Sequence, residues 1–330
     1  MKLTLSLVAS LLAVSCGLAG AAQTPTRSRT FRFHYRTVVN DVPHGSGALE
    51  VWLPYPQSTE HQAIHSVTLA APGPITISQE PRQGNQAAYF RQERPSGPVE
   101  ITMEIVATRL ENAGTREELN AAERAEYLSA EPLVPTDGPV KALAVEATRG
   151  KKGAAAKARA IYEKVTGMMK YDKSGTGWGR GDAIWACDAK RGNCTDFHAL
   201  IIGMARSQGI PARFAMGVPL PEERGQGEIP GYHCWAELYV DGEWVPIDSS
   251  EAAKAVALGQ REKKDYFFGH HDENRLEFSR GRHLTLAPAQ KSGPLNYFVY
   301  PHVEIGGKKH EAVKRKFTFT DLSATQAAVR

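Results

Sequence analysis

The sequence predicts an α+β fold, with a β-rich first third and a helical and hairpin-bearing second part. Three patterns predict it. Phe31, Phe33 and Tyr35 alternate with Arg32, His34 and Arg36, the period-two signature of a half-buried strand. Apolar residues over 154–169 and 195–208 recur at helical spacing. Asp241-Gly242 separates two strand-like runs, a strong short hairpin signal. The chain has 330 residues, 42% of them hydrophobic and 23% charged, enough for a buried core and more than one unit. A net charge of +4 is small for this length and gives no reason to expect a nucleic-acid partner.

The elements follow in order. Lys2 precedes a largely apolar run from Leu3 to Val14, and small residues line up from Ala19 to Ala22. That reads as a secretory signal over residues 1–22, too short to be a stable membrane span. Leu12-Ala-Val-Ser-Cys16 also resembles a lipoprotein box, in which Cys16 would carry lipid. The mature chain is therefore expected to be exported, secreted or periplasmic, free or lipid-anchored, with no transmembrane helix.

A β-sandwich is expected over 28–112, with strands at Ala48–Leu53, Gln86–Arg91 and Val99–Thr108 beside the first one. Residues 113–137 read as a connector, in which Thr115 and Glu118 have capping-box spacing for a short helix. The second unit, 138–330, opens with Pro139 in a helix first turn and continues with a helix at Ala154–Met169. Leu295–Ile305 and Glu311–Thr320, flanking Gly306-Gly307, read as a hairpin in a C-terminal β extension. The glycine-rich stretch from Gly175 to Gly181 is no phosphate loop and suits close backbone approach. Its Arg180-Gly-Asp182 tripeptide is of a length that arises by chance.

Chemistry concentrates around Cys194. It stands at the start of the helix closed by Gly209 and Pro211, where unpaired N–H groups and the helix dipole favour a thiolate. Across the Asp241-Gly242 turn, Val240 faces Glu243, Trp235 faces Asp248 and His233 faces Ser250. His233 and Asp248 are then diagonal neighbours on one face, within reach of one hydrogen bond. Cys194, His233 and Asp248 can thus serve as nucleophile, base and orienter. Other readings stand beside this one. Cys194 suits a packed thiol, His198 lies one turn on and is a rival base, and Cys187, Cys194, His198 and Cys234 form an imaginable zinc set without CxxC spacing.

Four blocks carry a resemblance. Gly192-Asn-Cys194-Thr-Asp-Phe-His-Ala-Leu, Gly209-Ile-Pro-Ala-Arg213, Gly231-Tyr-His233-Cys-Trp235-Ala-Glu237 and Trp244-Val-Pro-Ile-Asp248 resemble the transglutaminase-like superfamily, and the β-rich N-terminal part together with Asn274-Arg275, Gly281-Arg282 and Asn296-Tyr-Phe-Val-Tyr-Pro301 looks similar to an exported bacterial branch of it. The resemblance covers Gly138 to Glu251. It implies a papain-like core, with the Cys helix packed on an antiparallel sheet bearing His and Asp, and it favours His233 over His198. It implies no cofactor and no metal. The backbone N–H of Cys194 is one natural oxyanion donor, with Trp178 and Trp185 as candidates for a second. Glu237 lies on the His233 face as a structural candidate. With Cys194 free as nucleophile, Cys187 and Cys234 are left to pair as a disulfide. The expected function is attack on an amide or isopeptide carbonyl of a protein or peptide, through a thioester. Hydrolysis comes first, cross-linking transamidation second. A non-catalytic envelope binding or assembly module is the alternative of another class.

Overall fold

The computed structural model describes residues 26–43 and 45–323, so the signal segment and Cys16 lie outside the described residues. The first six strands are β1 (Ser28–Val39), β2 (Leu49–Tyr55), β3 (Gln62–Ala70), β4 (Ile75–Gln79), β5 (Gln86–Gln92) and β6 (Val99–Leu110). In β1 the predicted alternation holds, with Phe31, Phe33 and Tyr35 fully buried. The strands β3 and β4 were not singled out in the sequence. They are edge strands with mostly half-exposed side chains, so burial on one face leaves little apolar signature.

The connector differs from expectation. Thr115–Arg116 forms a short strand, β7, rather than a helix start, because Glu243 and Trp244 pair with it and His61 bonds the Thr115 hydroxyl. The capping box sits five residues later, where Asn120 and Glu123 close it on α1 (Ala121–Leu128). Helices α2 (Gly138–Ala147) and α3 (Ala154–Met168) follow as read, with Pro139 in the first turn of α2. In α3 the buried residues Ala158, Ile161, Tyr162 and Val165 are those the helical period selects.

Then come β8 (Lys170–Tyr171), α4 (Ala183–Ala189), β9 (Arg191–Gly192) and α5 (Cys194–Ser207). Strands β10 (Ala212–Pro219), β11 (Gln226–Ile229), β12 (His233–Val240) and β13 (Glu243–Ile247) lead to α6 (Ser249–Ala257), α7 (Arg261–Tyr266) and β14 (Arg275–Arg280). The chain closes with β15 (His302–Ile305), β16 (Lys308–Lys309) and β17 (Val313–Asp321).

Three five-stranded sheets result, in the orders β11-β17-β1-β6-β3, β16-β15-β2-β5-β4 and β14-β10-β12-β13-β7. The first two share one apolar cluster, Phe33 and Ile105 from one side and Val51 and Phe90 from the other. The C-terminal strands enter these two sheets: β17 pairs along β1 and β15 along β2. Gly306-Gly307 does turn a hairpin, but β16 is only two residues long before the chain crosses to the other sheet. The sandwich is therefore completed by residues from the far end of the chain.

Helix α5 packs on the third sheet and is walled by α2, α3, α4 and α6. Every residue from Cys194 to Arg206 is buried, which is the signature of a central rather than an amphipathic surface helix. An antiparallel sheet with a buried helix across it carries the site.

Candidate active site

The position of Cys194 is built by its neighbours. Asn193 is the N-cap of α5, its Oδ1 accepting from Thr195 N at 3.0 Å, while Asp196 Oδ2 accepts from Asn193 N at 3.0 Å. This reciprocal box fixes the first turn. The same Asp196 carboxylate takes the backbone N–H groups of Gly179 (2.7 Å) and Gly181 (3.0 Å), strapping the glycine-rich loop to the helix start. Close approach demands glycine here. At Gly192 φ is +148°, and a Cβ would stand 2.4 Å from Asp196 Oδ2. Cys194 is thereby the first helical residue, 2% exposed, with its N–H lacking an intrahelical acceptor.

His233 comes from the hairpin. Asp241 (φ +53°) and Gly242 (φ +86°) make the two-residue turn, and Val240↔Glu243, Tyr239↔Trp244 and Ala236↔Ile247 pair in the predicted register. Strand β13 ends at Ile247, one residue before the predicted Trp235–Asp248 pair. Asp248 is instead the N-cap of α6, and Ser250, expected opposite His233, lies inside that helix. His233 faces Gly217 of β10. The diagonal contact survives the change: His233 Nε2 and Asp248 Oδ2 are 2.6 Å apart. With Nε2 so engaged, the other ring nitrogen is left for the Cys194 thiol, which helps to raise His233 above its ordinary value.

Burial penalises every charge here, and partners reverse it. It pushes the Cys194 thiol up, but hydrogen bonds with Cys234 and His233 and the charge of His233 hold it well below its ordinary value. Burial pushes His233 down, yet the charge and hydrogen bond of Asp248, then Cys194, lift it to about 10. Burial also pushes Asp248 up, and His233, Arg275 and His198 together keep it well below the usual carboxylate range. These directions all favour the charged forms of the three groups.

A family model described as the transglutaminase-like superfamily core matches residues 141–249, the stretch that holds all three groups. The chain carries a transglutaminase-like core. A proposed cysteine protease from Cytophaga hutchinsonii has a similar structure, with a TM-score of 0.59 at 15% identity, covering 90% of this chain and 92% of that one. An uncharacterized protein of Haemophilus influenzae is 28% identical over 346 aligned positions, covering 91% of this chain and 94% of the relative. The periplasmic domain of TgpA from Pseudomonas aeruginosa is 14% identical over 72% of this chain and 92% of that one, with a TM-score of 0.38.

Around this core the remaining sequence candidates fall into place. His198 is fully buried on the far side of Asp248. Its Nδ1 lies 2.8 Å from Cys194 O and its Nε2 3.6 Å from Asp248 Oδ1, and burial pushes it below its ordinary value. The indole N–H of Trp178 donates to Gly175 O at 3.1 Å, and Trp185 lies with its ring nitrogen against Gly177. Both therefore serve the glycine-rich loop. Arg180 O accepts from Arg282 and Asn296, and Asp182 caps α4, so the Arg180–Asp182 tripeptide is structural.

The expected Cys187–Cys234 disulfide is not formed, and both thiols are free. Cys187 sits on α4 near Pro139 O, whereas Cys234 is buried with its sulfur 3.6 Å from His198 Nδ1 and within hydrogen-bond reach of Cys194. Adjacency in the chain placed Cys234 beside His233, but its side chain turns to α5. Among the described residues no group of three or more His, Cys, Asp or Glu is arranged to hold a metal ion. No helix among them is long and apolar enough to cross a membrane.

Three residues of the site were given no role by the sequence, although Arg275 lies in the C-terminal stretch that carries part of the resemblance. Tyr232 accepts from Asn193 Nδ2 at 2.8 Å, Tyr171 feels the charge of Cys194, and Arg275 contacts Asp248 at 3.2 Å. Tyr232 stood inside a quoted block, between Gly231 and His233, and that was its only signal. A cavity of about 260 Å³ opens beside His233, walled by Leu220, Glu251, Lys254, Phe267, Asn274 and Arg275. Leu220 and Glu222 bring the loop after β10 to its rim.

Proposed function

We propose that this chain is an exported cysteine acyl-transfer enzyme that cleaves amide or isopeptide bonds in proteins or peptides. One observation carries the reading: a buried thiol at a helix N-terminus, electrostatically coupled to an imidazole whose Nε2 is 2.6 Å from a buried carboxylate. Cys194 attacks the carbonyl as thiolate. The oxyanion of the tetrahedral intermediate is met by the Cys194 N–H and, as the second donor, by the Tyr232 hydroxyl, which Asn193 holds in position. His233 gives its proton to the leaving amine, and a thioester remains on Cys194. Water, activated by His233, then releases the acid and restores the thiolate.

Hydrolysis is favoured over transfer to an amine by the cavity wall. Glu251, Lys254 and Asn274 stand among its apolar residues next to His233, and a wall with that many polar groups admits water. A leader of the kind read at residues 1–22 supports export.

The test uses the mature chain with a quenched library of peptide and isopeptide substrates. Cleavage is expected from wild type, and Cys194→Ala should lower it at least about 10⁴-fold while folding normally. Equal cleavage by the two proteins would refute the assignment.

A further inference from the structure

A fourth buried charge touches the triad. Arg275, the first residue of β14, is 2% exposed, and its Nη1 lies 3.2 Å from Asp248 Oδ2. That oxygen is the one that takes His233 Nε2 at 2.6 Å. The other edge of the guanidinium grips Asp272, Nη2 to Oδ2 at 2.9 Å and Nε to Oδ1 at 3.4 Å. Its Cζ stands 5.0 Å over the ring of Trp235, which also neighbours His233. Asp248 Oδ1 is meanwhile held by Ser250 Oγ and Glu251 N, both at 3.0 Å. A line of alternating charge runs through the core: Asp272, Arg275, Asp248, His233, Cys194.

We propose that Arg275 is a positioning residue of the reaction, aiming the Asp248 carboxylate at His233 and setting both pH limits of the Cys194–His233 pair. The inference rests on the proposed function and names a determinant of its pH range. Two physical arguments carry it. A carboxylate has two oxygens to offer, and His198 Nε2 waits 3.6 Å from Oδ1 without a hydrogen-bond partner of its own. Without Arg275 on Oδ2, one of the contacts that point Asp248 at His233 rather than at His198 is lost. Second, Arg275 is permanently charged. Sharing one oxygen with His233, it disfavours the imidazolium and favours the thiolate beyond it.

The other titratable groups facing the pair do not substitute for that charge. His198 and Cys194 come from α5, Cys234 from β12 and Glu251 from α6. Tyr171 and Tyr162 approach from β8 and α3, and His271 from the loop before β14. Burial pushes Cys234, Tyr171 and Tyr162 up and His198 and His271 down, all toward their neutral forms, and the Lys254 ammonium on α6 is tied to Glu251 at 2.6 Å. Arg282 is a second buried guanidinium, but it faces Cys234. Only a planar fork spans Asp248 and Asp272 together; a lysine keeps the charge and loses the span.

The experiment needs no substrate. The full mature protein is alkylated with iodoacetamide from pH 4 to 11, and the rate at the Cys194 peptide is read by mass spectrometry. Two steps are expected, a low one where the thiolate forms and a high one where His233 loses its proton. In Arg275→Met both steps should move up by about one pH unit, so that alkylation on the low limb falls about tenfold. Arg275→Lys should leave both steps in place and slow substrate turnover alone. Asp272→Asn, which uncovers the guanidinium charge, should move both steps down, and it tests the proposal even where Arg275→Met does not fold. Unmoved steps in folded Arg275→Met, or in Asp272→Asn, overturn the inference and leave the enzyme assignment intact. A Cys194 that alkylates with the ordinary pH response of a free thiol in wild type overturns the assignment itself.

Discussion

Two buried carboxylates stand on the same hairpin, and they behave differently. Asp248 follows the end of β13, and Glu237 lies in the middle of β12, 4% exposed. Both are pushed up by burial and brought below the ordinary carboxylate range by cationic neighbours, His233 first for Asp248 and Arg213 first for Glu237. Glu237 bonds Arg213 Nε at 2.5 Å and Asn112 Nδ2 at 3.0 Å, a guanidinium and an amide that serve as fixed hydrogen-bond donors. Asp248 bonds an imidazole that touches a thiol. A perturbed, buried acid is thus common to structure and chemistry, and the partner's ability to give up a proton separates the two. Arg213 also stacks its guanidinium 4.1 Å from the Trp244 ring centroid, tying Glu237 into the sheet.

That contrast is open to attack. The largest effect is expected from Asp248→Asn, which leaves the shape and removes the charge behind the base. Its turnover should fall about 10⁴-fold in folded protein. Glu237→Gln in the same assay should keep its turnover per folded molecule, and a comparable loss there would erase the distinction.

Next comes stability. Glu237→Gln leaves Arg213 buried against a neutral amide and should cost about 3 kcal/mol in urea unfolding. Cys194→Ala should change stability far less.

The pH dependence of melting separates the two acids further. His233 is raised from 6.5 to about 10, so its contribution to stability is full below 6.5 and disappears as pH climbs toward about 10. Glu237 is lowered from 4.5, so its contribution is present above 4.5 and is lost as pH falls through its depressed folded value. Melting temperature in Asp248→Asn should therefore lose its decline between neutrality and pH 10, and in Glu237→Gln its decline on the acid side. The reverse pairing would sink the comparison.

The smallest signal is a count. Protein denatured without reductant should be alkylated at Cys187, Cys194 and Cys234 alike, because all three are free. A cross-linked peptide joining Cys187 to Cys234 would contradict the structure.

Local rules carried much of the reading. Asp241-Gly242 dictated a two-residue turn, the turn dictated register, and register brought His233 and Asp248 to one face before any tertiary contact was considered. Gly209 and Pro211 bounded α5 at its far end, and the helical run after Cys194 put that residue at its start, where the structure adds Asn193 as the cap. Period two and the helical period found β1 and α3, since one buried face writes a pattern into consecutive residues. The Thr115 box failed by the same logic. Its local signal was real in form, but pairing with Glu243 and Trp244 won.

What the fold alone decided involves partners far apart in the chain, which leave no periodic trace. The sandwich closes with β15 and β17, whose neighbours β2 and β1 are more than two hundred residues earlier. Arg275 reaches Asp248 from the far edge of the third sheet, and Asp196 gathers Gly179 and Gly181 across a loop. Cys234 illustrates the division most clearly. Its place on β12 followed from sequence, whereas the direction of its sulfur, toward His198 and Cys194 rather than Cys187, was set by how α5 packs on that sheet.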